Sequence, residues 1–225
     1  MRIGVLAVQG AFVEHEMMLR RFNCEAVELR GLKDISDLDG LILPGGESTV
    51  QGKLIKELGM YDSLKNLIDD GIPVLGTCAG LILLSRNINN DSLRHFQTLP
   101  VTVQRNAYGR QLGSFKTSGD FGKIGNVPMT FIRAPVITGV EKDVNVLSVI
   151  DGKIVAVEYK NQLGLSFHPE LDSDMRVMEY FLSKCRLSKK KKKEVSVVAL
   201  RWKGDGGSSF FSESFGGIKT QLLID

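Results

Sequence analysis

Apolar positions in the first half of the chain fall into short runs of strand length, separated by stretches of helical spacing. Residues 2–8 form an apolar run that suits a buried strand. In residues 11–22, Phe12, His15, Met18 or Leu19 and Phe22 fall along one side, which predicts a helix. Residues 25–29 set Ala26 and Glu28 against Val27 and Leu29, the alternation of a second strand. Gly-Leu-Ile-Leu at 40–43 is a third, closed by Pro44-Gly45-Gly46, and helical patterns follow at 49–58 and 61–69. Next come the buried strand Pro73-Val74-Leu75, the small-residue segment 76–80 and an apolar helix from Leu81 to Leu84. The second half is richer in strands, at 100–105, 129–133, 145–149, 153–159 and 163–167. A last helix is expected over 172–185, with Asp172 or Ser173 as its cap. Strands alternating with helices predict an α/β fold of three layers, a mostly parallel central sheet with helices on both faces.

The pattern breaks after Cys185. Five consecutive lysines occupy 189–193, followed by an apolar patch, the single Trp202 and a Gly/Ser/Phe-rich stretch over 204–217. A block of like charges favours a solvated, disordered segment. The expected division is therefore a folded domain over 1–187 and a tail over 188–225, disordered or non-native. That tail reads as a natural extension, an out-of-frame terminus or an artificial addition, with nuclear localisation a remote reading of the lysine run. It also changes the meaning of the net charge of +3. Residues 188–225 hold eight Lys/Arg and four Asp/Glu, which leaves 21 basic and 22 acidic residues in 1–187. A near-neutral body offers no nucleic-acid-binding face. No apolar run is long enough to span a bilayer, and the start lacks the pattern of a signal peptide. Three widely spaced cysteines, Cys24, Cys78 and Cys185, argue against a disulfide framework or a cysteine-based zinc site, so a cytoplasmic setting with reduced thiols is expected.

Candidate chemistry begins at Cys78. Gly76-x-Cys78-x-Gly80 lies between a buried strand and an apolar helix, the setting of a nucleophile elbow with cysteine in place of serine. A nucleophile on a sharp turn needs small neighbours, and the unpaired N–H groups at the start of a helix favour a thiolate. The Ala79 N–H is a candidate oxyanion donor. A lone cysteine after a strand is more often structural, and only the flanking glycines tip the balance. His168 and Glu170 follow the strand pattern Leu163-Gly164-Leu165, in Ser166-Phe167-His168-Pro169-Glu170. In an extended chain residues i and i+2 point the same way, so imidazole and carboxylate are expected on one side. Nucleophile, base and orienting group are then Cys78, His168 and Glu170. Taken alone, His168 reads as an ordinary loop histidine. His15, beside Glu14 and Glu16, reads as a packing or interface residue, and His95, in a polar loop, as solvated. Leu43-Pro44-Gly45-Gly46-Glu47-Ser48-Thr49 sits at the carboxyl end of a parallel strand, where α/β proteins bind ligands. There Gly46 N–H is a second candidate oxyanion donor, with a plain strand-to-helix turn capped by Ser48 or Thr49 as the alternative.

These segments together resemble the class I, triad-type glutamine amidotransferases. Closer still is the glutaminase subunit of pyridoxal 5′-phosphate synthase. Val8-Gln9-Gly10, residues 43–49, Gly-Thr-Cys-Ala-Gly-Leu-Ile at 76–82, Arg-Asn-Ala-Tyr-Gly-Arg-Gln at 105–111, Phe-Ile-Arg-Ala-Pro at 131–135 and Ser-Phe-His-Pro-Glu-Leu at 166–171 carry the resemblance over about residues 1–185. It implies a flavodoxin-like fold and hydrolysis of L-glutamine to L-glutamate and ammonia by Cys78, His168 and Glu170. It implies glutamine binding by Gly46, Glu47, Ser48, Arg105, Ile132 and Arg133, with an arginine suited to the substrate carboxylate. It implies no cofactor and no metal. The implied partner is a barrel-shaped synthase subunit that consumes the ammonia, in assemblies of twelve copies of each subunit, and the glutaminase is expected to be silent until that partner docks. Lys116 departs from the family, which more often has an acidic residue there. Rival readings are another triad amidotransferase, serving histidine or purine synthesis, and a non-catalytic α/β binding module.

Overall fold

The apolar runs of the first half lie side by side as parallel strands. The computed structural model describes residues 1–107 and 113–204, with side chains up to residue 194. The strands β1 (Arg2–Leu6), β2 (Glu25–Leu29), β3 (Gly40–Leu43) and β4 (Val74–Thr77) pair in the order β2-β1-β3-β4, all parallel. The late strand β12 (Gln162–Leu165) joins β4 in parallel, pairing Leu165 with Thr77. Beyond it the sheet turns antiparallel through β11 (Lys153–Tyr159), β9 (Val136–Val140) and β6 (Leu99–Gln104), and closes with β5 (Ser85–Ile88) parallel to β6. The strand β10 (Asn145–Ile150) forms a hairpin with β11. A separate ribbon pairs β7 (Ser114–Asp120) with β8 (Asn126–Ile132).

Period-two alternation divides the core. Ile3 and Val5 of β1 face one layer with helix α1 (Phe12–Arg21), Val177, Phe181 and Leu182 of helix α5 (Arg176–Gly204), and the ribbon's Phe131. Leu6 faces the other, with α2 (Ser48–Glu57), α3 (Tyr61–Asp69) and α4 (Ala79–Leu84). Many of these side chains have no exposed surface, and each fully buried Leu or Ile contributes about 1.5–3 kcal/mol. The three layers expected from the sequence are present.

The chain divides into two compact units, Met1–Lys189 and one beginning at Lys190. The last helix among the described residues, α5, starts later and ends later than the expected 172–185. Asp174, not Asp172 or Ser173, accepts from its first N–H, at 2.9 Å from Arg176 N. Asp172 is engaged elsewhere, accepting from Thr130 Oγ1. The lysine run is helical, because lysine is a good helix former and Glu194 offers an i,i+4 partner 3.9 Å from Lys190. Lys189 Nζ contacts Asp39 Oδ2 at 2.8 Å. Of the tail expected to be disordered or non-native over 188–225, residues 205–225 lie outside the described residues. Strands β5, β7 and β9 were not anticipated from the sequence. The alternating ribbon β7 is polar and half-exposed, so it lacks the apolar run that marks a strand. Among the described residues no helix is long and apolar enough to cross a membrane.

Candidate active site

Cys78 occupies the turn between β4 and α4 with φ 48° and ψ −98°. A non-glycine residue rarely adopts positive φ, so the surrounding structure must impose it. Two features do so. The Cys78 N–H donates to Leu165 O of β12 at 2.7 Å. Gly80 lets α4 close onto β3, since a Cβ there would stand 1.9 Å from Leu43 O. Ala79 is the first residue of α4, a position whose N–H lacks an intrahelical acceptor.

His168 follows β12 on the neighbouring strand, its N–H bonded to Thr130 O of β8 at 2.8 Å. Its Nδ1 lies 2.7 Å from Glu170 Oε1. The link between them is not extended as expected: Pro169–Leu171 form a 3-10 turn, which Pro169 starts with its fixed φ. The turn, rather than strand alternation, brings carboxylate to imidazole. Both side chains are buried. Burial alone would lower the pKa of His168, but the Cys78 sulfur and the Glu170 carboxylate outweigh it and raise the imidazole to about 10. Burial would raise Glu170, yet the imidazoles of His15 and His168 hold it below the usual carboxylate range. The Cys78 sulfur itself contacts Ile132 O at 3.8 Å. His168 Nε2 makes no hydrogen bond among the described residues, which leaves that nitrogen available to a reacting group.

The segment 44–48 forms the opposite wall. A Cβ at Gly45 would lie 2.2 Å from His168 Cε1, so the backbone passes directly over the ring. Gly45 O accepts from Ala11 N at 2.9 Å. Glu47 N donates to Gln9 Oε1 at 2.8 Å, and Gln51 Nε2 donates to Gln9 O at 2.9 Å and Pro44 O at 3.2 Å. Gln9, Ala11 and Gln51 thus hold the loop. Only Gln9 lies inside one of the motifs that carry the family resemblance; Ala11 and Gln51 fall in helical patterns, which carry no local signal of a role at the site. Glu47 is the N-cap of α2, accepting from Thr49 N at 3.4 Å, where Ser48 or Thr49 had been expected in that place.

Arg105 reaches in from the end of β6. Its Nη1 contacts Thr49 Oγ1 at 3.0 Å and Asp91 Oδ2 at 3.5 Å. Its buried Nε and Nη2 have no partner among the described residues. That edge of the guanidinium is the fork that pairs with a carboxylate. Ile132 and Arg133 complete the wall, Arg133 with φ 43°. A cleft of about 830 Å³ brings together Gly46, Glu47, Ser48, Cys78, Arg105, Ile132, Arg133 and His168, a size suited to a small polar substrate. Residues 108–111 of the 105–111 motif lie outside the described residues. Lys116 is exposed and contacts Asp172 at 3.7 Å.

One of the other two histidines differs from expectation, and His15 takes the packing place expected of it. His95 is buried rather than solvated, its ring packed on Gly52 and both ring nitrogens without a partner among the described residues. His15 has no exposed surface and lies against Glu170.

A strained cysteine beside a buried imidazole–carboxylate pair, at the carboxyl ends of parallel strands, is the layout of an α/β enzyme that works through a thiolate. The chain belongs to the SNO glutamine amidotransferase family, whose pattern matches residues 5–187. It is 61% identical over 183 residues to "Pyridoxal 5'-phosphate synthase subunit PdxT" of Desulfitobacterium hafniense (strain DSM 10664 / DCB-2), covering 81% of this chain and 92% of the relative. The protein of the same name from Haemophilus influenzae (strain PittGG) is 53% identical over 192 residues, 84% of this chain and all of the relative. A crystal structure of a glutamine amidotransferase is 39% identical and superposes with a TM-score of 0.78, over 81% of this chain and 98% of that one. The fold is accordingly the flavodoxin-like, mostly parallel α/β architecture of class I amidotransferases.

Proposed function

We propose that this chain hydrolyses L-glutamine to L-glutamate and ammonia, as the glutaminase subunit of a pyridoxal 5′-phosphate synthase in vitamin B6 biosynthesis. The observation that carries the chemistry is Cys78 at φ 48° beside His168, whose Nδ1 is held 2.7 Å from Glu170 Oε1. The relatives' name carries the pathway.

In this reading the Cys78 thiolate attacks the side-chain carbonyl carbon of glutamine, forming a C–S bond. The N–H groups of Gly46 and Ala79 hold the resulting oxyanion, and losing one such donor costs roughly 10²–10³ in rate. His168, protonated at Nε2 at neutral pH, gives that proton to the leaving nitrogen, and ammonia departs as the C–N bond breaks. Water then attacks the glutamyl thioester, with His168 taking its proton. The C–S bond breaks, and glutamate leaves. Glu170 keeps the Nδ1–H tautomer throughout. The Nε and Nη2 fork of Arg105 binds the α-carboxylate, while Glu47 and backbone groups of Ser48, Ile132 and Arg133 position the rest.

The ammonia passes to a barrel-shaped synthase subunit, in an assembly of twelve copies of each. Three free cysteines support a reducing, cytoplasmic setting. The test is ammonia release with a synthase subunit present. Cys78→Ala should abolish it while keeping the circular dichroism spectrum and thermal midpoint of the parent. Residual hydrolysis near the parent rate would refute the assignment.

A further inference from the structure

The mechanism above leaves one buried titratable group beside the triad unused. His15, on α1, has no exposed surface, and α1 packs against the turn that carries Glu170. Its Nε2 stands 3.3 Å from Thr77 Oγ1 and 3.4 Å from Glu170 Oε2. The other carboxylate oxygen, Oε1, takes His168 Nδ1. One carboxylate therefore has an imidazole at each oxygen. The Glu170 side chain is fully buried, and Oε2 makes no aligned hydrogen bond among the described residues. A buried carboxylate oxygen without a donor is costly, and His15 Nε2 is the polar group that faces it.

We propose that His15 is a positioning residue. As a neutral imidazole with its proton on Nε2, it fixes the Glu170 carboxylate through Oε2, so that Oε1 holds His168 and leaves His168 Nε2 free for the chemistry at Cys78. This rests on the reading of Cys78, His168 and Glu170 as the reacting triad.

The tautomer follows from the neighbours. An ionised carboxylate only accepts and the Thr77 hydroxyl is able to accept, so a proton on Nε2 suits both neighbours, while Nδ1 has no partner among the described residues. The charge state follows from burial, which lowers His15 from its usual value. The titratable groups acting on it are Glu170 and His168 from the far strand and turn, and Glu14 on its own helix. A charged His15 would compete with His168 for the same carboxylate. A neutral donor orients Glu170 without that competition, and Thr77 shares the N–H while keeping the ring in place.

The experiment is steady-state glutamine hydrolysis by the full chain with a synthase subunit. His15→Leu should lower kcat roughly 10- to 100-fold with KM for glutamine nearly unchanged, the cost expected for losing a group that orients a catalytic side chain. His15→Gln, whose amide N–H reaches a similar place, should recover most of that loss. Equal losses in both variants, or a His15→Leu enzyme with the parent kcat, would overturn the proposal. Glu170→Gln separates this from failure of the triad reading. If Glu170→Gln is impaired and His15→Leu is not, only the role of His15 falls. If Glu170→Gln keeps the parent kcat, the triad reading falls. Histidine ¹⁵N NMR of the unmutated chain supplies a readout independent of any folding defect. His15 should appear as the neutral Nε2–H tautomer from about pH 6 to 8, the range in which an ordinary imidazole titrates. An imidazolium, or a proton on Nδ1, would equally overturn the proposal.

Discussion

At Gly45 the site has no room for a single added carbon. The backbone there is bonded on one side to Ala11 and lies on the other against the His168 ring, with only 2.2 Å between a Cβ and Cε1. Gly45→Ala should therefore displace the imidazole rather than the loop. A misplacement of about 1 Å costs on the order of 10² in rate, so kcat for glutamine should fall by that much with KM little changed. A variant within twofold of the parent would mean that the loop yields instead. This constraint was half visible in the sequence. The paired glycines announced a close approach, but not which group approaches. Cys78 and His168 were legible because flanking residues within two positions mark them. His15 was not, since its meaning lies in contacts to Thr77 and Glu170, far along the chain, while its own neighbours are acidic.

The connection between β5 and β6 is a case where an element misleads. It reads as a polar loop, yet it folds His95 into the core against α2. Burial first, then the charges of Arg105 and Lys56, hold this imidazole at about 4. Unfolding releases it to an ordinary value near 6.5, so the unfolded state binds a proton that the folded state refuses. The contribution is complete above the unfolded value and is lost as pH falls toward about 4. The slope is up to about 1.4 kcal/mol per pH unit for one proton. Urea midpoints should thus drop more steeply between pH 6.5 and 4.5 for the parent than for His95→Gln. Parallel curves would contradict this. The other misread elements share a cause. The 3-10 turn after His168 and the ribbon strand β7 are set by tertiary pairing, whereas apolar periodicity reports only burial.

For the whole molecule, the strand–helix alternation was enough to derive three layers and the parallel first half. It did not reveal that most pairings of the second half are antiparallel within the same sheet, because alternation patterns do not encode strand order. The boundary of the first compact unit at Lys189 sets the last prediction. A chain ending after Lys189 keeps the Lys189–Asp39 contact and every residue assigned a role here. It should match the full chain in thermal midpoint and, with a synthase subunit, in glutamine hydrolysis. A loss of activity without a loss of midpoint would show that residues beyond 189 take part in ammonia production.

The place of β12 in the sheet has a further consequence. Among the described residues it is the last strand in sequence, yet it lies between β4 and β11 and stitches the two halves together. It also supplies the carbonyl that bends Cys78 and leads directly into His168. On the ribosome, where a chain emerges from its N-terminus, the cysteine would wait in an unstitched sheet until residues 162–170 arrive. Thiol reactivity should then switch on in a single late step of synthesis, so an unfinished chain has no means to spend glutamine.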